Sequence, residues 1–212
     1  MLPLNHLLEF VGIAAVIIAI PGPSVLFTVS RALTAGRRTA LLTVVGNEAG
    51  LLLQSAAVAF GIGALVERSV QVFTVIKLVG AAYLVYLGVQ AIRHRRSLAE
   101  AVAGNTAPVR PLRALGDGLM VGTMNPKTIV FFVAVLPQFI SRDAGHLPLQ
   151  MLLLGAVFSA LALVMDSVWA LGAGTAGQWL ARSPRRMAAI GGTGGLAMIG
   201  IGVSLAATGR KN

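Results

Sequence analysis

The chain has 212 residues, 56% of them hydrophobic and only 11% charged, with a mean hydropathy of +0.83; soluble domains carry about a quarter charged residues. That composition excludes an ordinary globular domain wrapped in polar surface and points to lipid as the solvent. Cysteine is absent, which removes disulfides, thiolate metal sites and thiol redox chemistry, and the net charge of +10 is gathered in a few connecting segments, the pattern of cytoplasmic loops and not of a nucleic-acid-binding face.

In chain order, a window of about 19 residues finds six apolar segments: Leu7 to Val29, Thr39 to Val66, Val70 to Ile92, Leu115 to Ile140, Leu147 to Gly174 and Met187 to Ala207. Each is long enough for a hydrocarbon core of about 30 Å at about 1.5 Å per residue. The expected fold class is therefore an all-α integral membrane protein, one transmembrane domain spanning 1–212 with six transmembrane helices. No Lys or Arg precedes the first segment and its apolar run exceeds the usual signal-peptide core, so it reads as a retained helix.

The basic residues set the orientation. Arg31, Arg37 and Arg38 lie in the first connection, Arg93, Arg95, Arg96, Arg110 and Arg113 around the third, and Arg182, Arg185 and Arg186 in the fifth, whereas the other side holds only Arg68, Arg142, Arg210 and Lys211. The odd-numbered loops are expected to face the cytoplasm, with both termini outside. The one long polar connection, 94–114, divides the chain into halves of three helices each, 1–93 and 115–212. An odd number of helices per half gives opposite orientations, as in inverted-repeat transporters; any six-helix chain also divides this way.

Two proline motifs interrupt the apolar runs: Pro21-Gly22-Pro23-Ser24 in the first segment and Asn125-Pro126-Lys127-Thr128 in the fourth. Proline removes a backbone donor and clashes with the carbonyl four residues earlier, so each site is expected to kink its helix and free carbonyls within the membrane. Interrupted helices at corresponding places in two halves point to a transporter's binding site, while either one alone reads as a packing kink.

Charge inside an apolar helix costs about 2.5 to 3.5 kcal/mol on insertion scales, so each instance calls for a reason. The candidates are Glu48, Lys77, Lys127 and Asp166. With the assumed topology, Glu48 and Asp166 fall roughly 12 to 14 Å from the cytoplasmic side and Lys127 about 18 Å. Two carboxylates and an ammonium thus converge in depth with the proline breaks, a set able to meet both charges of an amino acid or to carry a proton. The alternative is an ion pair from Lys127 to Asp166 or Glu48 that only locks helices together. Lys77, about 10 Å from the outer end of the third helix, is within reach of snorkelling.

Glycines at Gly46 and Gly50 in the second helix, and from Gly191 to Gly202 in the sixth, allow close helix contact, in the sixth either within the chain or in a homodimer. Asn47, Gln54 and Ser55 suit a polar path or interhelical hydrogen bonds.

Pro21-Gly22-Pro23, Gly80-Ala81-Ala82-Tyr83-Leu84 with Tyr86-Leu87-Gly88, and Asn125-Pro126-Lys127 with Phe131-Phe132 and Pro137-Gln138-Phe139 follow one another in an order and spacing that resembles the lysine exporter (LysE/RhtB) family over nearly the whole chain. The resemblance implies proton-driven secondary export of amino acids or related small metabolites from the bacterial cytoplasmic membrane. Its implied partners are a small-molecule substrate, protons and the lipid bilayer, with no nucleic acid. Within it Lys127 matches a recurring position, as does Asp166 in Asp166-Ser167-Val168-Trp169, and Lys77 matches a lysine ahead of the Gly-Ala-Ala-Tyr-Leu motif; Glu48 has no matching position. The chain is not expected to be an enzyme: His6, His94 and His146 lack metal-ligand spacing, no nucleophile triad or phosphate loop is present, and no cofactor is implied. The rival readings are a membrane-embedded enzyme and a passive small-solute channel.

Overall fold

A computed structural model describes residues 4–61, 70–93, 109–141, 144–181 and 183–207. The expected connection 94–114 lies outside the described residues as far as 108, as do Arg68, Arg142, Arg182, Arg210 and Lys211.

All the regular structure among the described residues is helical: α1 (Leu4–Ala19), α2 (Pro23–Ala35), α3 (Arg37–Gly61), α4 (Val70–Arg93), α5 (Pro111–Thr123), α6 (Pro126–Val130), α7 (Leu147–Ala181) and α8 (Pro184–Ala207). After α6 the chain widens into a π-helical turn, Phe131–Val135, and tightens into a 3-10 turn, Leu136–Gln138. Pro137 has no N–H for the carbonyl four residues back, which ends regular helix there. Gln138 Nε2 closes the irregular stretch by donating to the Ala134 carbonyl at 2.7 Å.

Helices Arg37–Gly61 and Leu147–Ala173 are each long and apolar enough to cross a membrane; the bent pairs α1 with α2 (52°) and Pro111–Thr123 with Pro126–Gln138 (42°) make two more if each is one span. The 24-residue helices α4 and α8 stand where the third and sixth apolar segments were read. Burial is inverted relative to a soluble protein. Large apolar side chains such as Phe60, Val79, Val164 and Leu196 face outward, while Asn47, Glu48, Gln54, Lys127, Thr128 and Asp166 are buried. That pattern suits a hydrocarbon solvent, in which a polar group is satisfied only inside the protein.

Helix α3 packs on α5 and α7, and α4 on α8. Glycines make the first and last of these contacts possible. A Cβ on Gly118 would collide with the Thr43 carbonyl, and one on Gly122 with the Asn47 carbonyl. On the other pair, Gly88 and Gly195 sit against each other's backbone. Gly46 and Gly50 thus serve the α3–α5 contact, and Gly195 and Gly202 serve contacts within the chain.

The buried apolar side chains form two clusters. The larger unites Ile17, Ile18 and Ile20 with Leu51, Phe131, Phe132, Phe158 and Ala162, and the Phe131 and Phe158 rings meet at a tilt with centroids 5.0 Å apart. The smaller holds Val25, Val29, Val44, Ala170 and Ala173, with Trp169 against it. Along α3 the order is Val44, then Asn47 and Glu48, then Leu51; along α7 it is Ala162, Asp166, Ala170. Polar side chains therefore occupy a layer between two apolar plugs.

Candidate functional site: two broken spans and a buried polar layer

In the first break α1 ends at Ala19, Gly22 caps α2 in extended conformation (φ −102°, ψ −171°), and Pro23 takes the first helical position. Pro21 offers no N–H to the Ile17 carbonyl, and the turn after Ile20 strips that carbonyl of its helical donor as well. Lys127 supplies both: its Nζ donates to Ile17 O at 3.1 Å and to Ile20 O at 2.8 Å. A Cβ on Gly22 would lie 3.2 Å from both Cε and Nζ of Lys127, so the glycine leaves the lysine its path.

The second break is sealed from the opposite side. Asn125 caps α6, its side chain accepting from the Lys127 backbone N–H at 3.1 Å. That N–H would otherwise meet the Thr123 carbonyl, which instead accepts from Gln54 Nε2 on α3 at 2.7 Å. Gln54 Oε1 in turn accepts from Thr128 Oγ1 at 2.8 Å. The two breaks touch directly, for Asn125 Nδ2 donates to Ser24 Oγ at 3.1 Å. The proline motifs read separately in the sequence thus form one hydrogen-bonded unit.

Three of the charged residues read as candidates share this layer. Glu48 on α3, Lys127 on α6 and Asp166 on α7 are 6%, 3% and 3% exposed, and Asp166 lies within electrostatic reach of both others. No contact within 4.0 Å joins Lys127 to either carboxylate among the described residues; two of the ammonium's three donors go to the helix carbonyls instead. Asn47 Nδ2 donates to Glu48 Oε1 at 3.1 Å. Asn47 Oδ1, Glu48 Oε2, Asp166 Oδ1 and Ser159 Oγ are buried with no hydrogen-bond partner among the described residues.

Lys77 is buried on α4, the helix that packs on α8 and the π turn, not on the α3–α7 core of the layer. Pro21 and Pro126 are partly buried at the breaks, and Pro23 is exposed. Of the polar residues read from the sequence, Gln54 makes an interhelical bond, whereas Ser55 Oγ bonds back to Leu52 O on its own helix. Sequence reading missed Ser159, whose only signal is a lone hydroxyl in an apolar run, and the ion pair Arg31 to Asp117 (2.7 Å) that ties α2 to α5. Arg31 reads as one more loop charge, and nothing near Asp117 in the sequence marks it as the partner. Among the described residues no cluster of three His, Cys, Asp or Glu could hold a metal ion.

Broken, apolar-faced helices around a buried charged layer define a helical membrane protein of the kind that moves solutes. The sequence model of the LysE type translocators matches residues 15–209. The chain belongs to that family. It is similar to an uncharacterized membrane protein of Vibrio cholerae, 36% identical with 94% of this chain and 95% of the relative covered. It is 30% identical to the homoserine/homoserine lactone efflux protein of Salmonella typhimurium, over 88% of each chain. The threonine efflux protein of Escherichia coli is 26% identical over 59% of this chain and 62% of its own. No solved structure matches it.

Proposed function

We propose that the chain is a secondary active exporter of amino acids or related small metabolites across the bacterial inner membrane, driven by proton entry. The carrying observation is the layer of Glu48, Lys127 and Asp166 held between two broken spans, with carboxylate oxygens left unpartnered. Membership of a translocator family and the efflux names of two relatives support the same reading. In it, Glu48 and Asp166 receive protons or substrate in alternation, so that the two compete for one set of oxygens and antiport follows. The breaks at Pro21, Gly22 and Pro23 and at Asn125, Pro126 and Lys127 form the hinge about which the plugs on either side open. Lys77 is a further candidate on the path, from the α4 side.

The proposed architecture is six spans in two inverted halves within a single domain. The smaller apolar plug, toward the ends carrying Arg31, Arg37, Arg38 and Arg113, faces the cytoplasm by the positive-inside argument. Liposomes containing the purified protein and loaded with an amino-acid mixture test the function. Imposing an inward proton gradient is expected to drive out particular species above protein-free controls. Release of none, or equal release without the gradient, sinks the coupled-export reading.

A further inference from the structure

Apart from the Ser159 hydroxyl, the unpartnered atoms named above share one character. Glu48 Oε2 and Asp166 Oδ1 are carboxylate oxygens and Asn47 Oδ1 is an amide oxygen, all three acceptors; Asn47, 2% exposed, is already turned onto Glu48 by its Nδ2. The nearby cation does not serve them. Lys127 gives its ammonium to Ile17 O and Ile20 O, and its backbone N–H to Asn125. A buried acceptor left unpaired is costly, and a compact group with several N–H donors and a positive charge is its complement.

We infer that Glu48, Asp166 and Asn47 form a site for a primary ammonium group, and that this group, not the carboxylate, is what the protein recognises in its substrate. The inference deepens the export reading above and rests on it for the word substrate. With two of the three Lys127 ammonium donors held by the broken helix, that cation has at most one N–H left for an anion, whereas three acceptors of the layer stand open to a donor. Amino acids, their esters and lactones, and simple primary amines are then one class for this site, and N-acylated amino acids fall outside it.

Binding and transport are measured separately so that the two readings can fail separately. Binding to the purified full-length protein is followed by calorimetry with ethylamine, and with L-threonine and L-leucine, each as the free amino acid, its methyl ester and its N-acetyl derivative. The expected result is binding of the free acids and esters within threefold of each other, and at least tenfold weaker binding of the N-acetyl compounds. Asp166→Asn and Glu48→Gln are each expected to weaken ester binding at least tenfold. Should either variant not fold, the comparison of derivatives on the unaltered protein decides alone. N-acetyl compounds binding as well as the free acids, esters binding tenfold worse, or no binding by any of the series overturns the ammonium site. Ammonium-selective binding without counterflow of the same compounds in liposomes overturns export and leaves the site standing.

Discussion

Lys127, in the first turn of the second half of one broken span, donates its ammonium at 2.8 Å to the carbonyl of Ile20, just past the end of α1 in the other. One side chain thereby replaces the backbone donors that Pro21 and the turn remove, and the partner break is mended in the same manner by Gln54. The membrane interior tolerates neither opening unless each freed carbonyl finds a partner. The breaks are accordingly coupled: neither can straighten or open without releasing bonds made by the other's neighbourhood.

A first prediction follows from that coupling. Lys127→Met leaves the Ile17 and Ile20 carbonyls without donors, at about 1 to 3 kcal/mol for each buried acceptor. The purified variant is expected to unfold at clearly lower temperature. Adding Pro21→Ala returns a backbone N–H to Ile17, so the double variant is expected to recover part of the loss, more than the two single effects summed. Strict additivity in thermal unfolding would mean that Lys127 stabilises by some other route.

The ion pair between Arg31 and Asp117 joins α2 to α5 beside the smaller apolar plug, with Arg31 also lying over the Phe27 ring at 4.9 Å. Their side chains are 14% and 34% exposed, so the pair is partly shielded from solvent. It is placed to hold that end of the two broken spans together. Asp117→Asn is expected to raise the rate at which a cysteine at buried Thr28 reacts with a membrane-permeant thiol reagent, by severalfold. The swap of Arg31→Asp with Asp117→Arg is expected to bring the rate back toward its original value. An unchanged rate in Asp117→Asn removes the pair from any gating role.

Orientation is tested independently of transport. Cysteines introduced at Ser97 and Ser183 are expected to react in intact cells with permeant reagents alone, since both stand in segments carrying the basic excess. Modification of either by an impermeant reagent reverses the proposed sidedness, and with it which plug opens to the cytoplasm.

Much of this architecture is legible in the chain because the physics behind it is local. An apolar run either is or is not long enough to span, and a proline deletes a donor wherever it stands. Hence the breaks at Pro21 and Pro126 and the burial of Glu48, Lys127 and Asp166 are readable without coordinates. Partner choice is not local. The sequence offers a carboxylate as the alternative partner for Lys127, but its long stem reaches the carbonyls that another helix's proline has freed. Nothing in the sequence near Lys127 records that those carbonyls lie opposite it. The same holds for Gln54, whose partner Thr123 is orphaned only because Asn125 diverts an N–H. Arg31 and Asp117 are hidden for a further reason: Arg31 lies where a loop charge is expected and Asp117 close to the start of the fourth apolar segment, so neither looks out of place.

The last prediction concerns coupling. Asp166 is 3% exposed, lies within electrostatic reach of Glu48 and Lys127, and keeps Oδ1 without a hydrogen-bond partner among the described residues, which under the proposed mechanism places it to exchange a proton for a substrate donor. Asp166→Asn preserves size and hydrogen-bonding capacity but cannot take up and release a proton. If Asp166 carries the coupled proton while Glu48 still holds substrate, the variant keeps at least a residual exchange of labelled for unlabelled substrate across liposomes. It fails, however, to concentrate that substrate against a gradient. A purely structural role predicts another outcome. Neutralising one member of a buried charged set leaves the remaining charge poorly compensated, typically at about 3 to 5 kcal/mol, so membrane abundance and thermal stability fall, and adding Lys127→Met then costs less than the same substitution does in the unaltered chain. Glu48→Gln run in parallel separates the two acids, because Asn47 already donates to one oxygen of Glu48, Oε1, whereas Asp166 Oδ1 has no hydrogen-bond partner among the described residues. Uphill transport by Asp166→Asn with an unaltered dependence on the proton gradient excludes Asp166 as the carrier and transfers that role to Glu48.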